Sequence, residues 1–482
     1  MSAHPLVYEL NTRCWLYELA QPAGKPSTLA EIPNDQFAYW QRLGFTHIWL
    51  MGVWSCGPPL ANAASHAHAA LPDFRPEDAV PSPYAVTAYD AAASLGGPGG
   101  LRVFRKRLRE HGLKLILDFV PNHTSMAHPW TREHPEFYVR SPGPAPGCFK
   151  SGTTWLAHGK DPYFPPWTDT AQLDYRNSAT REAMISELFE AAAECDGLRC
   201  DMAMLLLNDV FARTWKDFPS PHVTPKQEFW SDAVAAVRRK FPECLLLAEA
   251  YWDVEDRLLN LGFDFVYDKR VYDHLVARNP SSLATHLRSK PVSFLARSCH
   301  FLENHDEPRI ASLLNPAEHR AASLLILALP GMRLLHEGQL SGATVRASVH
   351  LRRRRREAVN VQIQEWYDAL LRAIKESLVG RGEFKVLLDT PEAIFAIRWE
   401  KDASRFDLVI VNATSRPSEL MFQPGDGAWR VTDLLPRQSA PRIFEGTISF
   451  DLPGHAACLL RFERVNQDFD GAGGGTRTHT AF

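Results

Sequence analysis

Four short segments of this chain place ionisable residues where an apolar run stops. They are Asp118-Phe-Val-Pro-Asn-His123, Gly197-Leu-Arg-Cys-Asp201, Leu247-Ala-Glu249 and Glu303-Asn-His-Asp306. One acidic residue at a strand end is usually a helix cap or a solvated loop residue; four such segments on one face of a fold point to a shared chemistry. Glycosidic cleavage needs this equipment. Its transition state carries oxocarbenium-like positive charge, one carboxylate attacks the anomeric carbon, and a second carboxyl protonates the leaving oxygen. The acid needs a raised pKa, which apolar flanks and nearby carboxylates supply. Glu249 has such flanks, Leu245-Leu-Leu-Ala248 before it and Ala250-Tyr-Trp252 after it. Arg199 lies two residues before Asp201, and on a strand residues i and i+2 share a face. It can therefore pair with Asp201 and keep it ionised as a nucleophile.

The elements that must position these residues are short apolar runs without clean alternation, as in parallel strands buried on both faces. Eight are expected, at Val7–Trp15, His47–Val53, Lys114–Val120, Gly197–Ala203, Cys244–Ala250, Phe263–Tyr267, Cys299–Glu303 and Met332–His336. Helical patterns fit between them, for example Leu101–His111, a stretch capped by Asn177 or Ser178, and one capped by Ser231. Alternation in this number predicts an α/β fold, a (β/α)₈ TIM barrel, over residues 1–124 and 173–357. Pattern alone leaves an open doubly wound sheet as the alternative. Residues 125–172, rich in Pro, Gly and aromatics, read as a loop-rich domain inserted after strand three. Residues 55–83 form a second excursion, after strand two. A linking helix is expected over 358–380, an all-β sandwich over 381–464 and a disordered tail over 465–482.

Composition excludes several function classes. A net charge of −3 gives no pull toward nucleic acid or an anionic membrane. No apolar run is long enough to span a bilayer, and the N-terminus lacks a basic region followed by an apolar one, so no secretory signal is expected. The eight Cys form no CxxC pair and several sit in apolar strand-like runs, which predicts reduced, buried thiols in a cytoplasmic protein. Nothing in the sequence fixes an oligomeric state.

Taken in order and spacing, the four segments resemble the signature regions of the α-amylase superfamily, glycoside hydrolase family 13. The likeness covers roughly residues 5–465. It implies a retaining double displacement: Asp201 attacks, Glu249 protonates the leaving group and then activates the acceptor, and Asp306 binds sugar hydroxyls and stabilises the transition state. It further implies that His123 and His305 hold the sugar before the scissile bond, that Tyr84 in Ser82-Pro-Tyr-Ala-Val stacks on that sugar, and that Arg199 orients Asp201. Asp118 joins this substrate-binding set. The alternative for Tyr84 is a packed core tyrosine.

Two positions depart from the family pattern. Where calcium-dependent relatives continue the strand-four motif with Lys-His, this chain has Met204 and Leu205, and the segment near the insert reads Gln172-Leu-Asp174. Hard cations need several oxygens, so no metal or other cofactor is expected, calcium being disfavoured. His305-Asp-Glu-Pro-Arg309 is closer to oligosaccharide-acting branches and favours malto-oligosaccharides or another small α-glucoside. The Arg352–Arg356 run reads as a solvated loop. The expected activity is hydrolysis of a small α-glucoside. The alternatives are a transglycosylase or a sucrose- or phosphate-using glucosyltransferase, and, more remotely, an inactive carbohydrate-binding protein.

Overall fold

The computed structural model describes residues 4–20, 27–59, 70–223, 225–386, 394–435, 440–465 and 479–481. Eight parallel strands form its centre: β1 (Leu6–Asn11), β2 (His47–Met51), β3 (Lys114–Phe119), β4 (Gly197–Cys200), β5 (Leu245–Ala248), β6 (Phe265–Tyr267), β7 (Ser298–Phe301) and β8 (Met332–His336). Each pairs with its sequence neighbours, and β8 closes on β1 in the register Leu6↔Arg333 to Glu9↔His336. This closed ring is a (β/α)₈ barrel and excludes the open sheet.

The unbroken apolar character of the strands follows from two buried faces. Alternate residues Val7, Trp49, Ile116, Leu247, Tyr267, Phe301 and Leu334 fill the barrel interior. Residues between them, such as Ile48, Leu115, Leu198 and Leu246, pack in the layer under the helices. Continuing the inward set toward the C-terminal ends of the strands reaches Glu9, Asp118, Arg199, Asp201 and Glu249. Alternation therefore delivers the charged residues to one mouth of the barrel.

The first strand is shorter than its apolar pattern. It stops at Asn11, whose Oδ1 accepts the Cys14 N–H at 3.3 Å, and Thr12–Ala20 is a helix. Cys14 and Trp15, which read as strand, lie with Leu16 on that helix's buried face. Asn177 caps Ser178–Ala193 as expected, accepting the Ala179 N–H at 3.0 Å. Ser231 does not cap: the helix Phe229–Lys240 begins two residues earlier, and the Ser231 hydroxyl accepts from Gln227 instead.

After β3 the chain leaves the barrel. His123–Ser125 pairs antiparallel with Thr170–Gln172, and between them Arg140–Ser141, Thr154–Ala157 and Cys148–Ser151 make a three-stranded sheet. In the excursion after β2, residues 60–69 lie outside the described residues. The helix Val361–Glu376 leads into the C-terminal all-β region. A six-stranded sheet there faces a three-stranded one across Phe406, Phe422, Trp429, Phe450 and Phe462. Two of its strands, Ser418–Phe422 and Arg442–Glu445, escape sequence patterning because each buries only one or two side chains. Residues 387–393 and 436–439 of the expected sandwich lie outside the described residues, as do 466–478 and 482 of the tail. Within the tail, His479–Ala481 pairs parallel with Ser449–Asp451.

The arginine run differs from a solvated loop. Arg353 pairs with Asp78 at 2.8 Å and Asp73 at 2.9 Å, and Arg354 with Glu18 at 2.6 Å and Glu337 at 2.8 Å. These pairs strap the segment to the barrel, while Arg355 and Arg356 are exposed. No disulfide joins any of the eight cysteines, and six of them are buried. No helix among the described residues is long and apolar enough to cross a membrane.

Candidate active site

The guanidinium of Arg199 is the centre of the charged mouth. It is fully buried, and Nη1 donates to Asp201 Oδ1 at 2.6 Å while Nη2 donates to Glu249 Oε2 at 2.6 Å. Asp118 Oδ1 lies 3.7 Å from Nη1, a pairing set by the register Arg199↔Asp118 between β4 and β3. The rings of Trp49, Tyr84 and Tyr267 surround the cation with centroids 5.4 to 5.9 Å away. A planar fork presents a separate, pre-oriented nitrogen to each of two carboxylates.

Glu249 is held at both oxygens. Oε2 also accepts the Met202 N–H at 2.7 Å, and Oε1 accepts the Tyr251 hydroxyl at 2.7 Å. Met202 takes the left-handed conformation, φ 44° and ψ 43°, uncommon for a residue with a side chain. The local strain turns its N–H onto the carboxylate.

A second network supports the opposite wall. His305 Nδ1 faces Glu9 Oε1 at 2.5 Å, and Nε2 faces Tyr84 Oη at 2.5 Å and Asp306 Oδ2 at 3.1 Å. Glu9 Oε2 in turn faces His336 Nδ1 at 3.2 Å. Tyr84 stacks on His305, with ring centroids 5.4 Å apart. On the floor of β3, Gly52 donates its N–H to Asp118 Oδ2 at 3.2 Å. Its φ of +79° and a gap that would put a Cβ 2.7 Å from Pro83 require glycine there.

Five carboxyls, of Glu9, Asp118, Asp201, Glu249 and Asp306, share two cations, Arg199 and His305. Crowding of like charge favours the protonated form of those that burial already raises. Burial raises the pKa of Asp201 and Glu249, with Arg199 opposing in both, and Asp201 and Asp306 push Glu249 up further. Asp118 is pushed up to about 7 by burial. Against desolvation, His305 draws Asp306 below the usual carboxylate range, and His336 and His305 do the same for Glu9. Desolvation disfavours the imidazolium of His305, but Asp306 and Glu9 on its two nitrogens raise it well above the ordinary value. Burial lowers His123 to about 4, leaving it neutral.

A cavity of about 920 Å³ opens on this site, lined by Tyr84, His123, Trp167, Asp201, Glu249, Tyr251, Trp252 and Asp306 among others. Its volume lies at the upper end of the about 300–1,000 Å³ usual for small-molecule pockets. Five of the eight residues singled out in the sequence line it: Tyr84, His123, Asp201, Glu249 and Asp306. Arg199, Asp118 and His305 stand behind that wall and act through the residues in front. Both cations on the wall are ion-paired, Lys269 with Asp273 at 2.5 Å and Glu307 at 3.3 Å, and Arg270 with Asp253. At the rim, Trp252 and Asp253 adopt successive left-handed conformations, φ 67° and 62°, and Trp252 meets Tyr163 edge-on at 5.1 Å.

Sequence reasoning missed Glu9, His336 and Tyr251. Glu9 carries a signal, a lone acid inside the apolar strand Leu6-Val-Tyr-Glu-Leu, which needs partners once buried. Tyr251 follows Glu249 by two residues, the spacing that marked Arg199 before Asp201. His336 shows only as the end of β8.

The donors available to calcium do not fit it. The Asn122 and Gln172 side chains bond each other, Gln172 Nε2 to Asn122 Oδ1 at 3.1 Å and Asn122 Nδ2 to Gln172 Oε1 at 3.2 Å. Asp174 is taken by Arg176 at 2.8 Å, and Met204 and Leu205 are buried apolar residues. A hard cation would find amides already satisfied and one neutralised carboxylate.

The family model described as alpha amylase, catalytic domain, matches residues 32–365. The chain is 24% identical over 317 residues to Alpha-amylase MalA of Haloarcula japonica, covering 64% of this chain and 41% of that protein. It is 26% identical to probable oligo-1,6-glucosidase 2 of Bacillus subtilis, covering 55% of this chain and 57% of that protein. The chain thus spans about half the length of the curated relatives it matches. Among solved structures, a noncanonic maltogenic alpha-amylase, AmyB from Thermotoga neapolitana, superposes with a TM-score of 0.70 at 18% identity over 96% of this chain and 99% of that one, a likeness of fold. The closed barrel, the strand-end motifs and the family match agree: this chain belongs to the alpha-amylase family.

Proposed function

We propose that the protein is a retaining glycoside hydrolase of small, neutral α-glucosides such as malto-oligosaccharides. The observation that carries this is one guanidinium holding two carboxylates at the floor of an aromatic-lined cavity. Carboxylates gripped by adjacent nitrogens of one fork are held close, which suits the about 5–5.5 Å spacing of retaining enzymes better than the about 6.5–9.5 Å of inverting ones. In this reading Asp201 attacks the anomeric carbon and Glu249 gives its proton to the leaving oxygen. Glu249 then takes a proton from water, which releases the sugar from Asp201. Asp306 faces the developing positive charge, kept ionised by His305. His123, neutral, and Tyr84 bind the sugar held against them. Asp118 and Arg199 position Asp201 from behind. Pairing of both wall cations argues against a phosphate-bearing substrate or phosphate as acceptor. Incubation with maltoheptaose, isomaltose, trehalose and sucrose, with and without phosphate, tests the reading. Shorter sugars alone are expected; chains longer than the donor, or a sugar phosphate, contradict simple hydrolysis.

The site's charges give a pH profile. Asp201 must be ionised, so kcat/KM falls as pH drops through its pKa. Glu249 must be protonated in the first step, so kcat/KM falls as pH rises through its own. Burial raises both, so the bell should have its acid limb above the about 3.9 of a free aspartate and its alkaline limb above the about 4.3 of a free glutamate. A rate that rises steadily through neutrality contradicts the assignment of Glu249 as acid.

The proposal includes no calcium. EDTA dialysis should leave the melting temperature and kcat unchanged, and added calcium should restore nothing. Loss of either on chelation contradicts it. Eight cysteines without a disulfide support a reducing, cytoplasmic setting.

A further inference from the structure

A carboxylate offers about four lone-pair directions to hydrogen-bond donors. On Glu249, three are taken. Arg199 Nη2 and the Met202 N–H use both directions on Oε2, and the Tyr251 hydroxyl uses one on Oε1. Arg199 and the amide can only donate, so a proton on Oε2 would displace one of them. Tyr251 is half-buried on the cavity wall and packs beside the barrel core. We propose that Tyr251 is a positioning residue that leaves Glu249 a single open lone pair, on Oε1, and so fixes where the catalytic proton sits and the direction in which it leaves. The inference rests on Glu249 being the general acid/base.

The steps balance through that one position. The Oε1 proton passes to the glycosidic oxygen as the bond from C1 to that oxygen breaks and the bond from C1 to Asp201 forms. Water then attacks C1, the bond to Asp201 breaks, and the water's proton returns to Oε1. Tyr251 donates throughout and exchanges no proton. Its phenol stays protonated because burial and the adjacent carboxylate raise its pKa. The charged and titratable groups facing Glu249 are Arg199 from β4, Asp201 just after it, Tyr267 from β6, Asp306 after β7, and Tyr251 itself.

Two effects follow from Tyr251→Phe. A donor to the carboxylate is lost, so the alkaline limb of kcat/KM moves to higher pH. A second, unproductive lone pair opens on Oε1, so proton delivery weakens. Maltoside hydrolysis, whose leaving oxygen needs the proton, should slow about 10-fold, a part of the about 10²–10⁴-fold that general acid catalysis supplies. Hydrolysis of α-glucosyl fluoride, whose leaving group needs no such proton, should stay within about 2-fold when formation of the glycosyl-enzyme limits the rate. Retained fluoride turnover also shows that the variant folds. An unmoved alkaline limb, or equal slowing on both substrates, overturns the proposal and leaves Tyr251 as part of the cavity wall. An inactive or unfolded Tyr251→Phe also overturns it, because a positioning hydroxyl must be removable without loss of the site. Glu249→Gln separates this outcome from failure of the underlying reading: if that variant still hydrolyses maltosides at the wild-type rate, Glu249 is not the acid, whatever Tyr251→Phe does.

Discussion

Asp201→Asn should lower turnover on the best α-glucoside by about 10⁴-fold or more, the scale seen when a catalytic nucleophile is removed, and leave the protein folded. The amide matches the carboxylate in size but cannot form a stable ester with the anomeric carbon. Its carbonyl oxygen can still accept from Arg199 Nη1, now 2.6 Å from Asp201 Oδ1. Arg199 also keeps Glu249 at 2.6 Å and Asp118 at 3.7 Å, so no buried cation is orphaned. One negative charge leaves a mouth where five carboxyls share two cations, so the melting temperature should hold or rise. Turnover within 10-fold of wild type would mean that another residue attacks.

Arg199→Met should act on stability and activity together. It strips the buried carboxyls of Asp118, Asp201 and Glu249 of their shared cation. Breaking a buried pair from one side costs about 3–5 kcal/mol. The orphaned carboxyls escape part of that cost by protonation, which disarms the nucleophile, so activity at neutral pH is lost as well. The pH dependence has a definite sign. Burial without Arg199 raises the folded-state pKa values above those of the unfolded chain. The folded state then binds more protons, and stability falls as pH rises through those values. The deficit of Arg199→Met against wild type should therefore be larger at pH 8 than at pH 5 in denaturant titrations. Arg199→Lys keeps the charge but lacks the two fixed nitrogens that set Asp201 and Glu249 in place, and should recover stability more than activity. A deficit below about 1 kcal/mol, or one independent of pH, would show that the three carboxyls do not depend on this guanidinium.

Much of this site was legible because strand alternation is rigid. Once a barrel is assumed, the two-residue spacing of Arg199 and Asp201 already puts them on one face, and the structure shows them in contact. The same periodicity explains Asp118 and Glu249. The boundary of β1 was not legible: Cys14, Trp15 and Leu16 are as apolar as a strand, and only Asn11 and Thr12 mark the turn into a helix. Glu9 and His336 were missed because they join the site through His305, and a chain of contacts across β1, β7 and β8 has no spacing in sequence. The pairing of Arg353 and Arg354 was hidden likewise, since Asp78 and Glu18 lie far away along the chain.

The central claim is that Asp201 forms the covalent intermediate and Glu249 resolves it. Glu249→Gln incubated with α-glucosyl fluoride should accumulate a glycosyl-enzyme, since the fluoride leaves without an acid but water has no base to activate it. Mass spectrometry of the digested protein should find one glycosyl residue on the peptide containing Asp201 and no other. A label on a different carboxylate, or an unlabelled enzyme that releases the β-anomer, would contradict the account.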